Sequence, residues 1–294
     1  MNKARVIAFY LPQYHPIPEN DKYWGKGFTE WTNVAKAKPL FRGHYQPHIP
    51  ADLGFYDLRL PEVREAQAEL ARDAGIEGFC YYHYWFGNGK MLLQKPFEEV
   101  LRLGKPDFPF CLCWANHDWT TKTWVKGSSM VNNTMIAQQE YLGEQDDIKH
   151  FEYCLRAFKD HRYITIEGKP IFLIYDPLSF PNVKEFMNRW NFLAKKNNLK
   201  GIYFIGVTTG RQSSYKIVTN LGFDGVCHNR RWEAEAKAAG FRFVRRMQSL
   251  LGWHLGISLM KYDYNKVVRN YDTPENKLEN CYPVITPGFD RTPR

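Results

Sequence analysis

Apolar runs of strand length alternate with amphipathic stretches of helical period along the whole sequence. That order permits few architectures, because a strand, a helix and another strand joined in series build a parallel sheet covered by helices. The first run is Val6–Leu11, broken by Pro12 and followed by a long polar and aromatic loop. Pro61 suits the first position of a helix, whose apolar residues Val63, Ala66, Ala68, Leu70 and Ala71 lead to Gly75. A second strand is predicted over Gly78–Tyr84, a helix over Lys95–Leu103 and a third strand over Phe110–Ala115. An insertion from Asn116 to about Glu144 carries Trp119 and Trp124. A helix over Asp146–Lys159 follows, with Asp146 and Asp147 favoured at its positive end. The fourth strand is predicted at Ile171–Tyr175, and the next helix at Val183–Asn197 has Phe186, Trp190 and Leu193 on one stripe. A fifth strand at Ile202–Val207, a helix at Ser214–Leu221 and a sixth strand at Gly225–Cys227 complete the regular part. A long helical stretch to about Val268 and a seventh strand at Val284–Thr286 end the pattern.

Two parallel architectures fit such an order. A doubly wound sheet places a Gly-rich phosphate turn after its first strand, and none stands after Leu11. The expectation is therefore one α/β domain over 1–294, a (β/α)8 TIM-type barrel that stops before strand eight. Such a sheet is expected to have an open seam at Val6–Leu11.

Composition narrows the function. The net charge is +9, yet no tract of five basic residues and no nucleic-acid motif occurs, so no nucleic-acid partner is expected. Arg230–Arg231 and the Arg242, Arg245, Arg246 group are the densest basic patches. They read as a solvated helix face, or as contacts to a sugar diphosphate or lipid. The six cysteines fit neither a disulfide framework nor a zinc ribbon, and no cofactor motif is present. Cys111 and Cys113 fall on one strand face as small core fillers. The start lacks a signal-peptide pattern, and no apolar run reaches the ~18 residues that span a bilayer. These features predict a cytoplasmic chain. The aromatic fraction of 16%, with 18 Tyr and 9 Trp, suits either a Tyr-rich core or surfaces that are half apolar and half wet, as sugar faces are.

In parallel barrels the site forms at the C-terminal strand ends. There the sequence places Tyr10, Gln13 and His15, with Glu30 and Trp31 in the first loop. Tyr82, His83 and Trp85 end the second strand; Trp114, Asn116, His117, Asp118 and Trp119 end the third. Tyr175 and Asp176 end the fourth, and His228, Asn229 and Arg230 the sixth. Rings beside hydrogen-bonding groups at five strand ends predict a saccharide pocket rather than plugs of the barrel mouth. Tyr82, Trp85, Trp114 and Trp119 are expected on one concave surface with Gln13, His15, His83 and Asn116. Glu30 is the candidate acid/base or sugar anchor, though it could equally tie down its own loop. His83, His117 and His228 with Asp118 could converge on a metal, but no ligand spacing supports that, and none is expected.

FYLPQYHPIPEND at 9–21, YWGKGFTEWTNVAKAKPLF at 23–41 and HYQPHIPADLGFYDLRLPEVREAQAELA at 44–71 carry a resemblance, as do GFCYYHYWF at 78–86, FPFCLCWAN at 108–116 and GKPIFLIY at 168–175. Together they resemble the WbsX-type family, which is similar to glycoside hydrolase family 99 and is associated with bacterial surface polysaccharides such as O-antigen, lipopolysaccharide or capsule. The resemblance implies a (β/α)8 barrel that makes or cleaves glycosidic bonds. It also implies a saccharide or sugar-phosphate substrate, and the basic patches leave open a peripheral membrane or lipid-linked glycan contact. The hydrolase relatives use two carboxylates of a late Asn-Glu-Trp-x-Glu-Gly motif as acid and base. That motif does not occur in these 294 residues, and His117 and His228 stand where relatives carry Glu. The alternative expectation is a catalytically impaired or vestigial sugar-binding barrel.

Overall fold

The computed structural model describes residues 4–39, 41–121, 123–124, 131–132, 134–208, 214–239, 246–247, 250–251, 262–288 and 290. Its centre is one parallel sheet of seven principal strands in sequence order. They are β1 (Ile7–Tyr10), β2 (Gly78–Trp85), β3 (Phe110–Trp114), β4 (Lys169–Ile174), β5 (Tyr203–Val207), β6 (Gly225–His228) and β7 (Cys281–Pro283). Register runs unbroken from Phe9 opposite Cys80 and Cys80 opposite Cys111 to Val226 opposite Cys281. β1 and β7 each have one strand partner among the described residues, so they are the edges of the sheet, as expected of a seam at the first strand.

The helices are α1 (Pro18–Trp24), α2 (Glu30–Lys36), α3 (Pro61–Asp73), α4 (Lys95–Leu103), α5 (Glu144–Phe158), α6 (Val183–Lys196), α7 (Tyr215–Asn220), α8 (Arg231–Ala238) and α9 (Tyr264–Arg269). Pro61 and Pro96 sit in first turns, where a missing N–H costs nothing, and Gly104 closes α4 at φ 68°. The loop after β1 is more ordered than its sequence suggests, since it holds α1 and α2. In the insertion after β3, Trp119–Thr120 pairs with Met135–Ala137, and Thr123–Trp124 with Val131–Asn132.

The period of two along each strand divides the core. Phe79, Tyr81, His83 and Trp85 of β2 face the helices; Phe110, Leu112 and Trp114 of β3 do the same. Trp190 of α6 is fully buried against Phe172, Phe186 and Phe158, which makes it the hub of this layer. Each such ring contributes about 1.5–3 kcal/mol by burial. The opposite sheet face carries the small thiols Cys80, Cys111, Cys113 and Cys227, all buried. Burial pushes these thiols up, as befits core fillers.

Two boundary expectations are corrected. The seventh strand is Cys281–Pro283, not Val284–Thr286, because Cys281 is buried beside Val226 whereas Ile285 is 85% exposed. The long helix after β6 is not continuous: α8 ends at Ala238 and α9 starts at Tyr264. Between them residues 246–247 and 250–251 are helical, while Arg242, Arg245 and the rest lie outside the described residues.

Candidate functional site

Four rings converge across the C-terminal ends of β1, β2 and β4. Phe9 stacks on Tyr82 at 5.4 Å between centroids, Tyr82 meets Tyr175 edge-on at 6.0 Å, and Tyr175 lies 5.4 Å from His117. Alternation explains the row: Phe9, Tyr82 and Tyr175 share the concave face with Cys80 and Cys113, and His117 reaches it from the loop after β3. Tyr82 is largely desolvated, and burial raises its phenol above the ordinary value. It therefore stays a neutral donor and acceptor. Beside the row, Trp119 stacks on Tyr84 at 5.9 Å.

A network of side chains fixes the mouth. The Asn116 carboxamide donates to Tyr141 Oη at 3.0 Å and to the Asp176 carbonyl at 2.8 Å, and its Oδ1 accepts from Asp176 N at 2.7 Å. Tyr141 donates back to the Asn116 carbonyl at 3.1 Å, and burial pushes its phenol up to about 12. Asp118 accepts from Gln139 N at 2.8 Å and so clips the insertion hairpin. Thr208 Oγ1 donates to the Asn229 carbonyl and accepts from Asn229 N, tying β5 to β6. The sequence gives no periodic signal for Thr208 or Tyr141, which lie outside the aromatic strand ends.

The structure does not gather all the expected residues into one mouth. Tyr10, His83, Trp85 and Trp114 point the other way, into the helix layer. Tyr10 Oη donates to Gln67 Oε1 of α3 at 2.6 Å. Trp85 stacks on His150 of α5 at 4.6 Å and donates Nε1 to Asp146 at 3.1 Å. Trp114 packs on Phe186 and donates Nε1 to the Trp85 carbonyl at 2.9 Å. The physical reason is the pleat: neighbours along a strand cannot share a face. His228 likewise shares its face with Val226, not with Cys227, and its Nδ1 lies 3.4 Å from Asn276 Oδ1. Burial lowers its pKa.

Gln13 and His15 are buried in the first loop, and desolvation pulls His15 down to about 4. Trp31 donates Nε1 to the Tyr56 carbonyl at 2.8 Å and packs on Tyr14 and Tyr56, so it anchors its loop. Glu30, at the start of α2, is 7% exposed. An open groove of about 290 Å³ lies beside β1 toward α3, lined by Tyr10, Tyr14, Tyr56, Gln67 and Leu70, and it reaches the ring row at Phe9.

Histidines do converge, but elsewhere. His83, His150 and Cys154 bring their ligand atoms within 4.8 Å of one another in the helix layer, the one such group among the described residues. The His83 and His150 Nε2 atoms are 2.8 Å apart. Two nitrogens on one tetrahedral ion at about 2.0–2.1 Å would stand wider, so the geometry is that of a hydrogen bond between neutral rings. His117, His228 and Asp118 are not part of the group.

Comparison with known proteins gives the lineage. The sequence profile of the family described as Glycosyltransferase WbsX matches residues 6–294. The proteins named WxcX, described as uncharacterized, from two strains of Xanthomonas campestris pv. campestris, B100 and ATCC 33913, are 34% identical over 291 residues. That alignment takes in 99% of this chain and 39% of each relative, so the chain spans about two fifths of their length. Among solved structures, the GH99 endo-alpha-mannosidase from Bacteroides thetaiotaomicron aligns at 16% identity and TM-score 0.42, over 85% of this chain and 68% of that one. A glycoside hydrolase-like protein aligns at 14% identity and TM-score 0.46, over 86% and 69%. With its profile match running almost end to end, the chain belongs to the WbsX glycosyltransferase family.

Proposed function

We propose that this chain is a carbohydrate-active domain of bacterial surface-polysaccharide assembly, of the O-antigen, lipopolysaccharide or capsule type. On this reading it holds a saccharide or sugar-phosphate against the Phe9–Tyr82–Tyr175–His117 row while a glycosidic bond is made or cleaved. The observation that carries the reading is the family match over residues 6–294. The ring row supports it, because aromatic faces stack on the apolar faces of sugars while tyrosine and histidine edges pair with hydroxyls. The all-parallel, sequential strand order supports a (β/α)8 barrel as the parent architecture. Six free, buried thiols suit a reducing, cytoplasmic setting. Glu30 is the acid/base candidate.

A second reading is a sugar-binding domain with impaired catalysis. His117 favours it, since it sits against Tyr175 at the place where the resemblance implies an acid. One experiment separates the two. The chain is titrated with mannosides, rhamnosides and nucleotide sugars by calorimetry, and turnover is assayed in parallel with Glu30→Gln. Turnover that Glu30→Gln abolishes establishes the enzyme and removes the second reading. Binding without turnover establishes the second. Absence of saccharide binding overturns both.

A further inference from the structure

The stretch from β6 to β7 is basic, and its described parts expose large apolar side chains. Residues 231–269 carry eight Lys/Arg against three Asp/Glu, a large part of the chain's net +9. Arg231, Lys237, Arg246, Lys266 and Arg269 are the cations among the described residues of this stretch, and large apolar side chains stand in solvent on the same elements. Trp232 of α8 is 49% exposed, Leu250 50%, Leu251 48% and Tyr264 of α9 76%. Met247 and Val268 are exposed as well, and so are Lys237, Arg246, Lys266 and Arg269. Met247, Leu250 and Leu251 lie at i, i+3 and i+4, the spacing that puts three side chains on one helix face. α8 and α9 pack on each other, which brings Trp232 and Val268 onto neighbouring helices.

Neither the ring row nor the helix-layer core uses these residues. We infer that the exposed apolar and basic residues of α8, of 246–247 and 250–251, and of α9 form a peripheral docking surface for an anionic phospholipid bilayer. Charge complementarity selects this occupant. Cations interleaved with Trp, Tyr and Leu match an interface where phosphate heads lie over acyl chains. No helix among the described residues is long and apolar enough to cross a membrane, so the contact is one of lying on the surface. Position gives the contact a use. α8 starts at Arg231, three residues after His228 ends β6, so the surface borders the C-terminal ends of the strands. A bilayer there would face the mouth with saccharides carried on lipid. That last clause rests on the carbohydrate reading; the docking itself does not.

The test is co-sedimentation of the full chain with vesicles of phosphatidylcholine alone or mixed equally with phosphatidylglycerol. Binding is expected to the mixed vesicles, and to fall several-fold as salt rises from about 0.1 M to about 1 M. Neutralising Lys266 and Arg269 to Gln is expected to weaken it about fivefold each, from ~1 kcal/mol per cation at the surface. Leu250→Glu with Leu251→Glu is expected to abolish it, while Phe192→Glu on α6, a more exposed ring elsewhere, leaves it unchanged. Equal binding to both vesicle types, or no effect of the leucine variants, overturns the inference. So does a dimer in size-exclusion chromatography that the leucine variants dissociate, which would assign the surface to a second copy. Lipid binding with no saccharide binding would sink the carbohydrate reading and leave the docking surface standing.

Discussion

The Nε2 atoms of His83 and His150 lie 2.8 Å apart between β2 and α5, closed in by Trp85 and Trp190. One ring donates and the other accepts, and burial keeps both neutral. A proton added to either would be a charge buried in the helix layer.

Buried histidines, this pair among them, are expected to limit the fold in acid. Desolvation pulls His83 down to about 3 and His15 to about 4, and lowers His150 and His228 as well. The unfolded chain takes up protons on these rings below about 6.5, where the native state does not. Stability is therefore fully present above that pH and is lost as pH falls toward 4. Asp147, which burial raises to about 6 despite Arg189, acts in the opposite sense with one proton. The lowered Asp57 and Asp160 matter only further into acid. The urea midpoint is expected to drop steadily from pH 7 to 4.5, and less steeply in His15→Gln. A flat midpoint over that range would refute this account.

Asn116→Ala should cost about 1–3 kcal/mol, because it leaves the Asp176 N–H and carbonyl without their side-chain partner and takes one donor from the Tyr141 hydroxyl. Denaturant unfolding reads the loss. An unchanged midpoint would show that the clip between β3 and β4 is not structural.

Tyr82 and Trp85 separate binding from packing, although they are three residues apart on one strand. Tyr82→Ala is expected to weaken saccharide binding roughly tenfold, about 1.4 kcal/mol. Trp85→Phe removes the donor to Asp146 and should lower stability by about 1–3 kcal/mol with affinity unchanged. The reverse outcome in calorimetry would move the site to the helix layer.

Gly206→Ala probes the seat of α7 on β5. A Cβ there would stand 2.4 Å from Val218 Cγ1, so the helix must shift. Overpacking of this kind costs about 1–3 kcal/mol, to be read as a lowered melting temperature. No change in melting would mean that α7 is loosely held.

The sheet was legible because its signals are local. Apolar runs ended by Gly, Pro or polar residues place β2 to β6 within a residue or two, and Pro61, Pro96 and Gly104 mark the helix ends they cap. β7 was misplaced because Val284–Ile285 is the more apolar run, while burial beside β6 belongs to Cys281. The candidate site was half legible. Tyr82, Tyr175 and His117 meet as the strand ends implied, whereas Tyr10, His83, Trp85 and Trp114 serve the helix layer.

By itself the sequence determines the strand and helix order, the parallel topology that follows, the family and the excess of aromatic residues at the strand ends. Which of those rings face the concave side is a tertiary decision. A strand buried on both faces shows no hydrophobic alternation, so GFCYYHYW reads the same on either face until its register and its helices are known. Packing against α5 and α6 gives His83, Trp85 and Trp114 to the core, and that choice leaves Phe9, Tyr82 and Tyr175 for the mouth.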